Sequence, residues 1–167
     1  NDISKDHPGL ILKIAKSWLG TSKEVDWIVK HACRTLLKQG NSQAMSLFGF
    51  AAPSDIQITH LKMEDVIVAI GSETYFSFTV TNSTNLITKL RLEYGIYYMK
   101  SNGKQNRKVF KISEKEYKAK SSENIRKKQH FKNLTTRKHY KGEHKLSIIV
   151  NGVEKEIVSF SLKNPKA

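Results

Sequence analysis

The chain has 167 residues, with 29 Lys and Arg against 15 Asp and Glu, a formal net charge of +14 and a hydrophobic fraction of 38%. That length holds one large or two small domains with a core of their own. Three Pro and nine Gly exclude a collagen-like or linker-like composition, one Cys excludes a disulfide framework and any multi-Cys zinc site, and no apolar run reaches the length of a membrane span. The sequence opens at Asn1 with neither Met nor a signal-peptide pattern, inside what reads as structured sequence, as expected of a piece of a longer protein.

The charge is concentrated. Residues 100–145 carry 16 basic and four acidic side chains, and the rest of the chain is close to neutral. This points to a polyanionic partner, with nucleic acid favoured over membrane; the plain alternative is a solvated basic face that serves solubility.

The first fifty residues have the period of helices. Asp6-His7-Pro8 is a start signal, with Asp6 as the cap and Pro8 in the first turn. Leu10, Ile11, Ile14, Ala15 and Trp18 follow at helical spacing up to Gly20. Thr21 and Glu24 match a capping box, and Val25, Ile28, Val29, Ala32, Cys33, Leu36 and Leu37 form the apolar stripe of a second helix closed by Gly40. Asn41 caps a short third helix near residues 42–48. Short turns between such helices suggest a bundle or a helical-repeat array, with an open apolar end that needs a neighbour.

Near Pro53 the period changes to two. Ile56, Ile58 and Leu61, then Phe76, Phe78 and Val80, then Leu90 to Tyr98, alternate with polar residues; Val109-Phe110 and Phe131 belong to later strands. Leu146–Val150 and Val158–Leu162 flank Asn151-Gly152, a two-residue hairpin signal. Seven or eight strands in this stretch suit an immunoglobulin-like sandwich without a disulfide, with a small barrel as the other possibility. The fold class is therefore mixed α and β: a helical segment over residues 1–52, then an all-β, basic domain over 53–167.

Two segments carry candidate binding residues. On the second helix, Lys23, Trp27, Lys30, His31, Arg34 and Lys38 recur at three- and four-residue steps away from the apolar stripe. Cations with an aromatic residue in one stripe suit phosphates and stacked bases; an ordinary solvated face is the alternative. In the β half, residues 126–142 mix Lys, Arg and His with Thr hydroxyls and two aromatics and contain no acid; Lys128, His130, Arg137, Lys138, His139 and Tyr140 are the candidates there. His130, His139 and His144 match no metal-binding spacing. Cys33 lies on the apolar stripe as a core residue, and no nucleotide-binding, metalloprotease or nucleophile-elbow motif is present. No metal or cofactor is implied.

"NDISKDHPGLILKIAKSWLG" with "DWIVKHACRTLLKQGNSQAMSLFGF" resembles the last helical repeats of the AlkC branch of HEAT-repeat DNA alkylation-repair glycosylases, and "KKQHFKNLTTRKHYKGEHKLSIIVNG" resembles the immunoglobulin-like domain that follows them. The resemblance implies incomplete C-terminal HEAT-like repeats over residues 1–52, an immunoglobulin-like domain over 53–167, double-stranded alkylated DNA as partner and a cytoplasmic location. The activity it implies for the parent protein is hydrolysis of the N-glycosidic bond of cationic N3-methylated bases such as 3-methyladenine, with a carboxylate stabilising the sugar cation. Lys30, His31 and Arg34 match basic positions of the family's helix, and Arg137 to Tyr140 match its β-domain loop. The catalytic acids belong largely to preceding repeats; Asp2 is the one candidate carried over. The other reading is a non-enzymatic immunoglobulin-like module that binds RNA or an acidic protein.

Overall fold

The computed structural model describes residues 3–165. The first fifty residues form α1 (Ile3–Asp6), α2 (Pro8–Trp18), α3 (Lys23–Ala32), α4 (Arg34–Lys38) and α5 (Ser42–Leu47). Asp6 does not cap α2: it ends α1, a single turn that the apolar pattern does not reveal, and the N-cap is His7. The cap of α3 is one residue later than expected. The Ser22 hydroxyl accepts the Val25 N–H at 3.2 Å, while Thr21 donates its hydroxyl to the Trp18 carbonyl at 2.6 Å. The second helix also divides at Cys33, where ψ is 1°. Asn41 caps α5 as its sequence suggests, accepting the Ala44 N–H at 3.0 Å.

The helices bury two small clusters, one of Leu12, Leu36, Leu37, Ala44, Met45 and Phe50, the other of Ala15, Val29 and Cys33. Leu10, Ile14 and Trp18, four residues apart on α2, stay 53%, 38% and 54% exposed.

Eight strands follow: β1 (Ile56–Met63), β2 (Ile67–Ala69), β3 (Glu73–Asn82), β4 (Thr88–Met99), β5 (Gln105–Tyr117), β6 (Ser121–His130), β7 (Gly142–Val150) and β8 (Val153–Lys163). They make a three-stranded sheet, β1-β3-β6, and a five-stranded sheet, β2-β8-β7-β4-β5. Among the described strands only β2 and β8 run parallel. Phe76, Phe78 and Val80 from one sheet meet Leu90, Leu92, Ile96, Leu146 and Ile148 from the other, so the alternation in sequence becomes the sandwich core. Phe131 is fully buried but lies beyond β6; its N–H and carbonyl bond Ser72 and Gly71.

The other face of β4 carries Lys89, Arg91, Glu93, Gly95 and Tyr97, and the helices sit over this outer face of the five-stranded sheet. Lys89 donates to the Phe48 carbonyl at 3.2 Å, and Phe50 forms a bridge with Lys89. The Asn151-Gly152 hairpin is the second fastening. Asn151 and Gly152 have φ of 47° and 82°, the left-handed pair that a two-residue turn of this kind requires. The Asn151 side chain accepts the Arg91 N–H and donates to the Ala51 carbonyl, both at 2.8 Å. Gly152 then passes so close to Gly40 that a Cβ on it would lie 2.0 Å from the Gly40 Cα.

Gly152→Ala therefore meets a steric clash with backbone as well as an unfavourable φ, and should destabilise the fold by about 2–4 kcal/mol. Gly103→Ala, at φ 76° with open space around it, should cost only about 1 kcal/mol. Urea denaturation of the two variants compares them directly.

Candidate nucleic-acid interface

α3 is fixed to the sheet through one carboxylate. Glu114 of β5, its side chain only 9% exposed, takes an ion pair from Lys30, another from Lys111 at 3.2 Å, and a third from Arg91 at 3.5 Å. Arg91 also holds the fully buried Glu93 at 2.8 Å. Burial raises the pKa of Glu114, but the hydrogen bonds from Lys30 and Lys111 outweigh it and hold the group below its ordinary 4.5. Lys30, expected from its spacing to face a nucleic acid, is thus committed to an internal ion pair.

Beside this hub, α4 and β5 bound a cleft of about 590 Å³. Arg34, Thr35, Lys38 and Gln39 line it from α4 and its C-cap, Arg107 to Phe110 from β5, and Arg137 completes the lining. Five of the nine lining residues are cations and none is an acid. Arg107 lies along the sheet toward β8, ion-paired with Glu154 at 3.0 Å; Gly95 leaves room for it, since a Cβ there would sit 3.2 Å from the Arg107 Cδ. Arg34, Lys38 and Lys108 have no carboxylate partner among the described residues. Such a cleft presents donors and positive charge to a phosphate chain.

The cleft unites the two sequence segments, since Arg34 and Lys38 come from one and Arg137 from the other. Arg137 is half-buried: its guanidinium stands 5.0 Å from the Tyr98 ring centre and 5.5 Å from that of Phe110, and it donates to the Tyr98 hydroxyl at 3.3 Å. Lys138 is exposed and Tyr140 is 37% exposed. Trp27, 68% exposed, stacks on His31 at 5.4 Å beside the hub, while Lys23 at the start of α3 is exposed and lines no part of the cleft.

Other candidates are placed elsewhere. His139 is only 7% exposed, its ring packed against Tyr98 at 5.3 Å and Phe131 at 5.6 Å, so it supports the loop from within and is not a surface ligand. Burial, then the charge of Arg137, lowers its pKa. Lys128 and His130 lie on the three-stranded sheet, paired with Glu73 at 2.8 and 3.1 Å, with Lys128 also over Tyr75. These two are held by an acid that cross-strand pairing brings to them. Asp2 lies outside the described residues. Arg107, Lys108 and Lys111 were not singled out by sequence reasoning; the signal was the net charge of residues 100–145, but Val109-Phe110 marked that strand as core.

Two packed sheets with this core define an immunoglobulin-like sandwich, and the helices add a basic wall to it. The chain belongs to the family described as the C-terminal Ig-like domain of uncharacterised protein YhaZ, whose match covers residues 57–164. It is 44% identical over 162 residues to YhaZ of Bacillus subtilis (strain 168), covering 97% of this chain and 45% of that protein. Among solved structures it is similar to the Pseudomonas fluorescens alkylpurine DNA glycosylase AlkC bound to DNA containing an abasic site analog, with a TM-score of 0.90 and 36% identity over 97% of this chain and 45% of that one. The chain thus spans under half the length of both relatives. A β-glucosidase from Listeria innocua, at a TM-score of 0.52 and 9% identity over 65% of this chain and 16% of its own, shares the fold alone.

Because its pKa is lowered in the folded protein, Glu114 contributes stability that is fully present above 4.5 and is lost as pH falls through the lower folded value. Glu114→Gln should lower Tm at neutral pH, by an amount corresponding to roughly 3–5 kcal/mol for a broken buried pair. The difference from wild type should shrink as pH falls below 4.5, which a Tm series across pH measures.

Proposed function

We propose that this chain is the DNA-binding C-terminal portion of a DNA alkylation-repair glycosylase that excises cationic N3-methylated bases such as 3-methyladenine. The observation that carries the reading is the acid-free cleft in which Arg34 and Lys38 face Arg107, Lys108 and Arg137. The likeness to a glycosylase bound to DNA supports it. Double-stranded DNA is the partner, held mainly through its phosphates, and the helices are the end of a HEAT-like repeat array. A cytoplasmic location accords with that role; no helix among the described residues is long and apolar enough to cross a membrane.

The chemistry belongs to residues outside this chain. The N-glycosidic bond of a cationic base is already weakened, and a carboxylate free to face the sugar completes the reaction. Of the buried carboxylates here, Glu114 is occupied by Lys30, Arg91 and Lys111, and Glu93 is held by Arg91 through Oε1 and closed off from solvent. The chain alone should release no 3-methyladenine from methylated duplex DNA above the spontaneous rate; release that Asp2→Asn abolishes would overturn this division of labour.

Binding through phosphates releases counterions, so affinity should fall steeply with salt on every sequence. Lys38→Gln with Lys108→Gln should weaken duplex binding and flatten the log–log salt dependence by roughly one to two. Lys104→Ala with Lys163→Ala, two exposed cations away from the cleft, should do much less. Fluorescence anisotropy of a labelled duplex at matched salt reads both. Equal losses from the two double variants would leave net charge as the whole explanation, and tighter binding to single-stranded RNA than to duplex would favour a non-enzymatic RNA-binding module.

A further inference from the structure

Under α3, sharing Arg34 with the cleft, is a pocket of about 160 Å³. Trp27, His31 and Arg34 border it from the helices, and Arg91, Lys111 and Glu114 from the sheet. Arg91 is the informative residue. It is 7% exposed, and its Nη atoms serve Glu93 and Glu114, yet its buried Nε has no hydrogen-bond partner. A buried donor left without an acceptor is costly and uncommon.

We propose that this pocket receives one phosphate group of a nucleic-acid strand, with an adjoining unpaired base stacked on Trp27. The proposal rests on nucleic-acid binding by this chain and adds where one phosphate and one base are held.

The charge balance favours an anion. Lys30, Arg34, Arg91 and Lys111 outnumber Glu93 and Glu114 by two, and Arg34 has no carboxylate partner among the described residues. An arginine with a spare N–H beside a second guanidinium matches the spread of phosphate oxygens. At about 160 Å³ against about 590 Å³ for the cleft, the pocket is small, which suits a phosphate better than a base. The base is then placed on Trp27 at its border. One face of its indole is covered by His31, with 18° between the rings, and at 68% exposure the rest is open to solvent. Stacking on such a surface is tolerant of sequence.

Trp18 and Trp27 are the chain's two tryptophans, so Trp18→Phe makes Trp27 the sole indole reporter. The full chain carrying this change is titrated with a thymidine tetranucleotide bearing a 5′-phosphate, the same with a 5′-hydroxyl, and inorganic phosphate; duplex binding is followed separately by anisotropy. Quenching by both tetranucleotides assigns the pocket to an internal phosphodiester. Quenching by the 5′-phosphorylated one and inorganic phosphate alone assigns it to a terminal or free phosphate. Arg91→Lys, which keeps the charge and removes Nε, should weaken the quenching titration roughly five- to tenfold. Should that variant fail to fold, Lys111→Gln, at a side chain 52% exposed, should weaken it in the same direction. Lys104→Ala with Lys163→Ala, exposed and lining neither the cleft nor the pocket, should leave it intact. Unchanged Trp27 emission in a protein that still binds duplex overturns the pocket and leaves the function standing, as does quenching that Lys111→Gln does not weaken. Failure to bind duplex at all removes both.

Discussion

The meeting of three cations on Glu114 is the constraint on which the interface depends. Lys30 arrives from α3, Arg91 from β4 and Lys111 from β5, and the carboxylate they share is almost out of water. Burying such a group is expensive, and a well-packed apolar contact would serve stability as well or better. What the ionic hub supplies is direction. An apolar contact tolerates sliding, whereas one carboxylate shared by three donors fixes how α3 lies over the sheet. Gly40 against Gly152 sets the distance of approach, and Asn151 bonds both Arg91 and Ala51. With orientation and distance both set, Arg34 and Lys38 of α4 come to stand across from β5.

The same pairing rules decide which of the many cations remain available. On the three-stranded sheet Arg126 takes Glu64, and Lys128 and His130 take Glu73, with Arg126 also 3.6 Å above the Tyr75 ring. That surface is rich in Lys and Arg along the chain but largely neutralised in space. At the cleft the acids are already engaged, Glu114 by the hub and Glu154 by Arg107, and Lys38, Lys108 and Arg34 are left over. Local surplus over acids, more than the density of cations in sequence, locates the positive potential of this surface.

This explains how far the sequence could be read. The change of period at Pro53 and the Asn151-Gly152 turn are local signals, and each corresponds to an element of the structure. Val29, Cys33 and Leu36 lie on the buried stripe as their spacing requires, while Ile28 of the same stripe is 53% exposed. Lys30 has the same spacing as Arg34, and only Glu114, 84 residues away, separates their roles. His139 sits among cations in a segment with no period, so nothing local distinguishes a buried ring from an exposed one. Glu73 reaches Lys128 through the pairing of β3 with β6, a register fixed by the sandwich core and not by either strand alone.

The burial of His139 orders the loop after β6. Burial pushes the Tyr98 pKa up to about 12 against the opposing charge of Arg137, and the neutral hydroxyl accepts from the guanidinium. Arg137 is then held between two aromatic faces, and His139 packs on the other parts of the same cluster. Burial lowers the pKa of His139 and of His144 beside it, which keeps further charge out of the cluster at neutral pH; protonation below the ordinary 6.5 would oppose the fold. The Asn133 side chain accepts the His139 N–H at 2.8 Å, and Leu134 and Arg137 exchange backbone bonds. A loop anchored at so many points has little conformational freedom left, and the cost of ordering Arg137 beside the cleft is met during folding.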